Sequence, residues 1–172
     1  MIHKPNPDEY PPYYNRYINL IPDDNILIRL DSQKLAMSDL LSGIGEEAAN
    51  YRYEPEKWSI KEVIGHVIDV ERIFVYRALR FARDDKTSLP EFNQDDYVKQ
   101  ANFDGRTLIN LADEFNAVRE STYTLFAGFS PDFFDREGMA SGFRFTVRSI
   151  PFIIAGHELH HRQIIQSKYL RK

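Results

Sequence analysis

The side chains best equipped for chemistry in this 172-residue chain are its histidines, and four of the five follow a pattern. His157, His160 and His161 fall within the run Gly156-His157-Glu158-Leu159-His160-His161. His66 stands far upstream in Trp58-Ser59-Ile60-Lys61-Glu62-Val63-Ile64-Gly65-His66, and His3 belongs to the N-terminal arm. The chain has no cysteine. Disulfides, thiolate nucleophiles and Cys-based metal sites are therefore excluded, and any transition metal must be held by His, Asp or Glu.

Advancing about 100° per residue from His157 places Ile150, Ile153, Ile154, Ile164 and Ile165 within about 80° of it. On the same wheel His161 falls near about +40°, inside that isoleucine stripe, whereas His160 at about −60° and Glu158 at about +100° fall toward its opposite margins. Two imidazoles one turn apart in an apolar stripe have few hydrogen-bond partners there. A cation resolves the conflict, because one nitrogen of each ring coordinates it and the other is left to donate to a neighbour. His66 shares its face with Val63, Val70 and Ile73 and is expected to point inward as well, although a single buried histidine taken alone is more often a hydrogen-bonded core residue than a ligand.

Two other metal chemistries meet obstacles. His157-Glu158-Leu159-His160-His161 fits the metalloprotease pattern H-E-x-x-H. The segment after His161, however, contains no His, Asp or Glu to serve as a third ligand, and no substrate-aligning sheet is expected. Glu158-Leu159-His160-His161 also fits one half of a di-iron Glu-x-x-His site, but that architecture needs a second such motif and two more glutamates. Glu62 lies four residues before His66, the wrong spacing, and inward carboxylates look too few. A mononuclear site of His66, His157 and His161 is expected.

Four helices must position these residues. Helical periodicity runs from about Asp24 to Ile44, from a capping box at Ser59-Ile60-Lys61-Glu62 to about Arg83, from about Arg106 to Phe129, and from Thr146–Ser149 to about Leu170. Pro151 is tolerated in the first turn of the last helix. Phe143-Arg144-Phe145-Thr146-Val147 alternates weakly and is too short and isolated to imply a sheet. The fold expected is all-α: a four-helix bundle in one domain over 1–172, with 1–20 as an N-terminal arm. Residues 84–105, containing Pro90, Asn93 and Gly105, form a long connection. A helix of about 24 residues is about 36 Å long, and an extended segment of this length reaches roughly twice as far. The connection can thus climb the bundle and let the second and third helices run parallel, as long crossovers do.

Composition excludes other classes. Hydrophobic residues make up 42% and charged residues 28%, and the net charge is −4, an ordinary globular balance with no electrostatic footprint for nucleic acid or an anionic membrane. No apolar run approaches the roughly 18 residues of a membrane span. Met1–Tyr14 lacks an apolar signal region, so a cytoplasmic location is expected.

Taken with Tyr13-Tyr14-Asn15-Arg16-Tyr17-Ile18 and Tyr76-Arg77-Ala78-Leu79-Arg80-Phe81-Ala82-Arg83, the two histidine segments make the chain resemble the DinB-like (damage-inducible) family of bacterial four-helix proteins. The resemblance covers nearly the whole chain. It implies a bundle with a long crossover between helices two and three, often a homodimer, and a metal on His66, His157 and His161. It also implies relatives that are metal-dependent transferases joining a low-molecular-weight thiol, such as bacillithiol or mycothiol, to an electrophile. Others are described only as metal-dependent hydrolases. Zinc or nickel is the expected ion, with iron as a third choice.

Three protein ligands leave an open position, the mark of catalytic rather than structural sites. A thiol nucleophile would have to be a cosubstrate, since the chain has none of its own. A hydrolase using metal-bound hydroxide would want a general base, for which Glu158 and Asp69 are nearest in sequence. A non-catalytic reading has His160 or a carboxylate closing the fourth position. Glu158 is otherwise expected to support a ligand from behind. Arg77, almost three turns from His66 on the same face, can bind a substrate carboxylate or pair with an acid of the crossover, where Glu91, Asp95 and Asp96 are available.

Overall fold

Each long helix but the last begins where the sequence offers a polar cap. The computed structural model describes residues 2–170, so the bounds of the domain expected over 1–172 lie outside the described residues. Among these residues the α-helices are α1 (Asn15–Ile18), α2 (Ile26–Ser42), α3 (Glu46–Ala49), α4 (Ile60–Ala82), α5 (Gln94–Ala101), α6 (Leu108–Ala127) and α7 (Ser149–Ile164). Asn25 caps α2 by accepting from the Leu27 amide, and Thr107 caps α6 by accepting from the Asn110 amide. Ser59 and Glu62 form the expected reciprocal capping box at α4, satisfying two amides that the helix itself leaves free. The last helix closes on a wider turn of π type, Ile165–Tyr169.

The bundle consists of α2, α4, α6 and α7. Both α6 and α7 pack against both α2 and α4, which therefore occupy opposite corners. Ser38 meets Asn116 and Lys34 meets Glu120, so α2 and α6 are antiparallel. Ile60, Val63 and Val67 share an apolar cluster with Leu108, Leu111 and Phe115, while Phe74 and Phe81 share the other with Phe126. The second and third long helices, α4 and α6, thus run parallel, and the connection between them has to return along the bundle as expected. It is more structured than expected: Asn93 caps α5 within it, accepting from the Asp95 and Asp96 amides, and Phe103 is buried.

The expectation that residues 143–147 form no sheet is corrected. β1 (Glu137–Ala140) and β2 (Phe143–Thr146) pair antiparallel, with Gly138 opposite Phe145. The turn residues Ser141 and Gly142 both have positive φ, 53° and 79°, which suits the turns whose twist matches a hairpin. Neighbouring chain covers both edges: the Leu89 amide donates to the Met139 carbonyl at 2.9 Å, and the Thr146 amide donates to the Glu9 carbonyl at 3.0 Å. Among the described residues no helix is long and apolar enough to cross a membrane.

The apolar core is interrupted by a polar layer to which each long helix contributes one residue. Gln33 of α2, Glu71 of α4, Arg119 of α6 and Glu158 of α7 are all buried. Leu30, Phe74, Phe126 and Ile154 belong to the cluster on one side, and Met37, Val67, Phe115 and Ile165 to the cluster on the other. Arg119 donates to both Glu71 carboxylate oxygens at 2.8–3.2 Å. Its remaining terminal nitrogen donates to Gln33 Oε1 and the Leu30 carbonyl at 3.3 Å.

Candidate metal centre

His66 is carried inward by the apolar face of α4, and His157 and His161 by the isoleucine stripe of α7. His66 and His157 are buried; His161 is half-buried. The three side chains meet between the two helices. His157 Nε2 lies 3.1 Å from His66 Nε2 and 3.1 Å from His161 Nε2. One ligand atom from each of the three can be chosen so that all lie within 4.8 Å of one another.

Close packing alone does not explain this meeting. Each neutral imidazole nitrogen offers either one proton or one lone pair. His157 Nε2 therefore cannot make two good hydrogen bonds to two further ring nitrogens. The spacing does suit a cation: metal–nitrogen bonds of about 2.0–2.1 Å in tetrahedral arrangement put the nitrogens about 3.3 Å apart. The protonation state suits it too, because ligand imidazoles must be neutral. Burial holds His66 down to about 4. Burial, followed by the neighbouring histidines, holds His161 down to about 3 and His157 well below the usual histidine range.

Two glycines let other segments close around these ligands. Gly65 precedes His66, and a Cβ there would meet the Phe103 ring at 2.4 Å; Gly156 precedes His157, and a Cβ there would meet the Tyr17 carbonyl oxygen at 2.2 Å. The crossover and α1 can therefore lie directly on the helix backbones beside the site. The Tyr17 ring stands edge-on to His157 at 5.2 Å between centroids, and Trp58 lies 4.8 Å from His66. The His161 side is open. It borders a cavity of about 270 Å³ lined by residues that include Tyr53, Glu56, Lys57, Trp58, Gln94, Asp95 and Tyr169. Tyr169 lies in the π turn, and its hydroxyl donates to the Trp58 carbonyl at 2.6 Å.

His160, one residue from His161, is outside the trio. Its ring packs edge-on against Tyr17 at 5.4 Å and against His161 at 5.2 Å, so the two neighbours have different surroundings. Glu158 is fully buried and faces the polar layer rather than the cavity, its Oε1 accepting from Arg162 Nε at 2.8 Å. Burial raises its pKa against the pull of Arg119 and Arg162. Asp69, the other candidate base, is also raised by burial; its charged neighbours are Arg72, Glu114 and Arg106, and it does not line the cavity. Of the aromatics at the helix ends, Trp58 lines the cavity, while Phe103 packs over Gly65 and Tyr97 is exposed.

Arg77 is buried, but its partners are not the acids of the crossover. It donates to the Pro90 carbonyl at 3.0 Å and to Ser141 Oγ at 2.9 Å, with the Phe74 ring 5.2 Å from its guanidinium carbon. It ties the crossover and the hairpin turn to α4. Two carboxylates of the long helices, Glu71 and Glu158, are buried, fewer than a di-iron site needs, and each is engaged by an arginine. The sequence signal for this layer was Arg119 itself, which sits on the Leu111, Phe115, Thr122, Phe126 stripe of α6.

Bundle and trio together define a class: a four-helix protein with three neutral, convergent imidazoles at the edge of a small cavity. The model of the DinB superfamily matches residues 29–165, and the chain belongs to that superfamily. Among solved structures it is similar to YfiT from Bacillus subtilis, described as a probable metal-dependent hydrolase with an unusual four-helix bundle topology. The TM-score is 0.71 at 10% identity, over 88% of this chain and 97% of that one; the likeness is one of fold. No curated protein matches this chain in sequence.

Proposed function

We propose that this protein is a metal-dependent transferase: His66, His157 and His161 hold one divalent cation, zinc or nickel, and the cavity beside His161 admits the reacting end of a low-molecular-weight thiol and its electrophilic partner. A cation held by three neutral imidazoles supplies Lewis acidity at its open position, lowering the pKa of a coordinated thiol or water toward neutrality. The protein's own groups arrange the rest. Trp58 and Tyr17 pack against His66 and His157, fixing ring orientation and keeping water from their outer faces. Tyr53, Trp58 and Tyr169 give the cavity an aromatic wall for the apolar part of an electrophile, and Lys57, Gln94 and Asp95 offer polar contacts for the thiol's remaining groups. The thiol proton leaves to solvent, sulfur bonds to the electrophilic carbon, and the leaving group departs with the electron pair of the broken bond.

The observation that carries this reading is the placement of the candidate bases. Glu158 is fully buried near Arg119 and Glu71, and Asp69 does not line the cavity, so neither of these two is placed to activate a water there. A thiol, with a free pKa of about 8.5, would depend on such a base far less than water does. Hydrolysis is the second reading, favoured by Glu56 and Asp95 in the cavity lining and by the description of YfiT.

The test is a conjugation assay with zinc- or nickel-loaded protein, a panel of small thiols and a chromogenic aryl halide. Turnover above the thiol-only background, lost in His157→Ala, is expected. Background rates for every thiol would overturn the transferase reading. Turnover of esters or amides without added thiol would replace it with the hydrolytic one.

A further inference from the structure

The trio depends on axial register. His66 is on α4 and its partners are on α7, so a slip of one residue, about 1.5 Å along either helix, would break the 3.1 Å meeting of Nε2 atoms. The packing around them consists largely of Ile, Val and Phe, which resists separation more than sliding. The imidazoles do not hold themselves in place either, because three neutral rings converging on one point turn lone pairs toward one another.

Directional bonds that read helix position are present nearby. Glu71 of α4, five residues after His66, accepts from Arg119 of α6 at 2.8–3.2 Å. Arg119 donates to Gln33 Oε1 of α2 at 3.3 Å, and Gln33 Nε2 donates at 2.9 Å to the Ala155 carbonyl of α7, two residues before His157. The last acceptor is backbone, so the bond specifies a position along α7 rather than a side-chain rotamer. The geometry points to Gln33, Glu71 and Arg119 as positioning residues: one buried hydrogen-bond chain runs through all four helices from the one carrying His66 to the one carrying His157 and His161, and sets the register that brings the imidazoles together. The cation readout of this inference rests on the proposed metal site; the register itself does not.

Two variants test it. Gln33→Met cuts the chain at its neutral link with little change in volume. The double variant Glu71→Met/Arg119→Met removes the ion pair without leaving either charge unpaired, a replacement that buried pairs often tolerate without loss of stability. Both are expected to melt near the wild-type temperature, yet to bind Co²⁺ about 10- to 100-fold more weakly, the usual scale for residues that orient ligands. Their visible Co²⁺ bands should be broadened or shifted. In metal-free protein, NMR of the imidazole rings should give one sharp set of signals for each of His66, His157 and His161 in wild type, and split or broadened sets in the variants. Wild-type affinity, spectrum and ring signals in both variants would overturn the inference. Failure of wild type to take up Co²⁺ would sink the metal reading alone, since the ring signals still decide the register. If the double variant fails to fold, Gln33→Met decides.

Discussion

Two buried polar clusters lie side by side in this bundle and respond to burial in opposite ways. In the layer of Gln33, Glu71, Arg119 and Glu158, charge is met by charge: Arg119 engages Glu71, and Arg162 engages Glu158. Among the described residues its one orphan is Glu158 Oε2, on a carboxyl whose pKa burial pushes up against the pull of Arg119 and Arg162. In the histidine trio nothing is balanced internally. Three neutral rings converge, and no acid among the described residues forms an ion pair with them. Both clusters are polar islands in an apolar core, yet only the second gathers three ring nitrogens on one point with no counter-charge among the described residues. Burial of polar groups is therefore a poor guide to function; an unmatched set of donors or acceptors is a much better one.

The comparison can be broken most sharply at the trio. Replacing His66, His157 or His161 with Ala should abolish stoichiometric metal retention in elemental analysis, while His160→Ala retains it. Retention by one of the three variants would remove that residue from the site. The layer should answer a single truncation by losing stability instead. Arg119→Ala leaves Glu71 buried without its partner, a change expected to cost about 3–5 kcal/mol in urea unfolding. A loss below about 1 kcal/mol would mean that water reaches the layer.

The metal-free protein gives a finer distinction through pH. Unfolded histidines take up protons near pH 6.5, whereas folded His66 and His161 resist down to about 4 and about 3. Stability is then fully present above the unfolded value and is lost as pH falls toward the folded ones. The loss at pH 5 should reach roughly 2 kcal/mol for His66 alone. Saturating zinc should shift the melting temperature upward at pH 7.5. A metal-free protein equally stable at pH 7.5 and pH 5 would contradict the neutral, buried state of the trio.

Much of this organisation is legible in the sequence because it depends on periodicity. The isoleucine stripe separates His161 from His160, the Ser59–Glu62 box marks the start of α4, and the length of residues 84–105 permits α4 and α6 to run parallel. Features that depend on several distant segments are not legible in the same way. The hairpin exists because Leu89 and Glu9, remote in sequence, cover its two edges, although Ser141-Gly142 is a local signal for its turn. Arg77 could not be matched to Pro90 and Ser141 by charge, since both partners are neutral. Arg119 was visible on an apolar stripe, but its partners come from two other helices. Glu158 fell at a wheel margin, where a side chain can face solvent or a neighbouring helix with equal ease.

The parallel course of α4 and α6 has a further consequence. Because the chain must return along the bundle between them, α5 is laid beside the mouth of the cavity, and Gln94 and Asp95 become part of its wall. The candidate ligands and the pocket wall thus sit partly on separable stretches of chain: the imidazoles on α4 and α7, and part of the wall on the connector. Such an arrangement is modular. The exposed wall positions Gln94 and Asp95 can be varied to admit different molecules while the buried Leu89, Val98 and Phe103 and the helices that carry the imidazoles stay as they are, which makes this part of the connector the natural place to graft a new specificity.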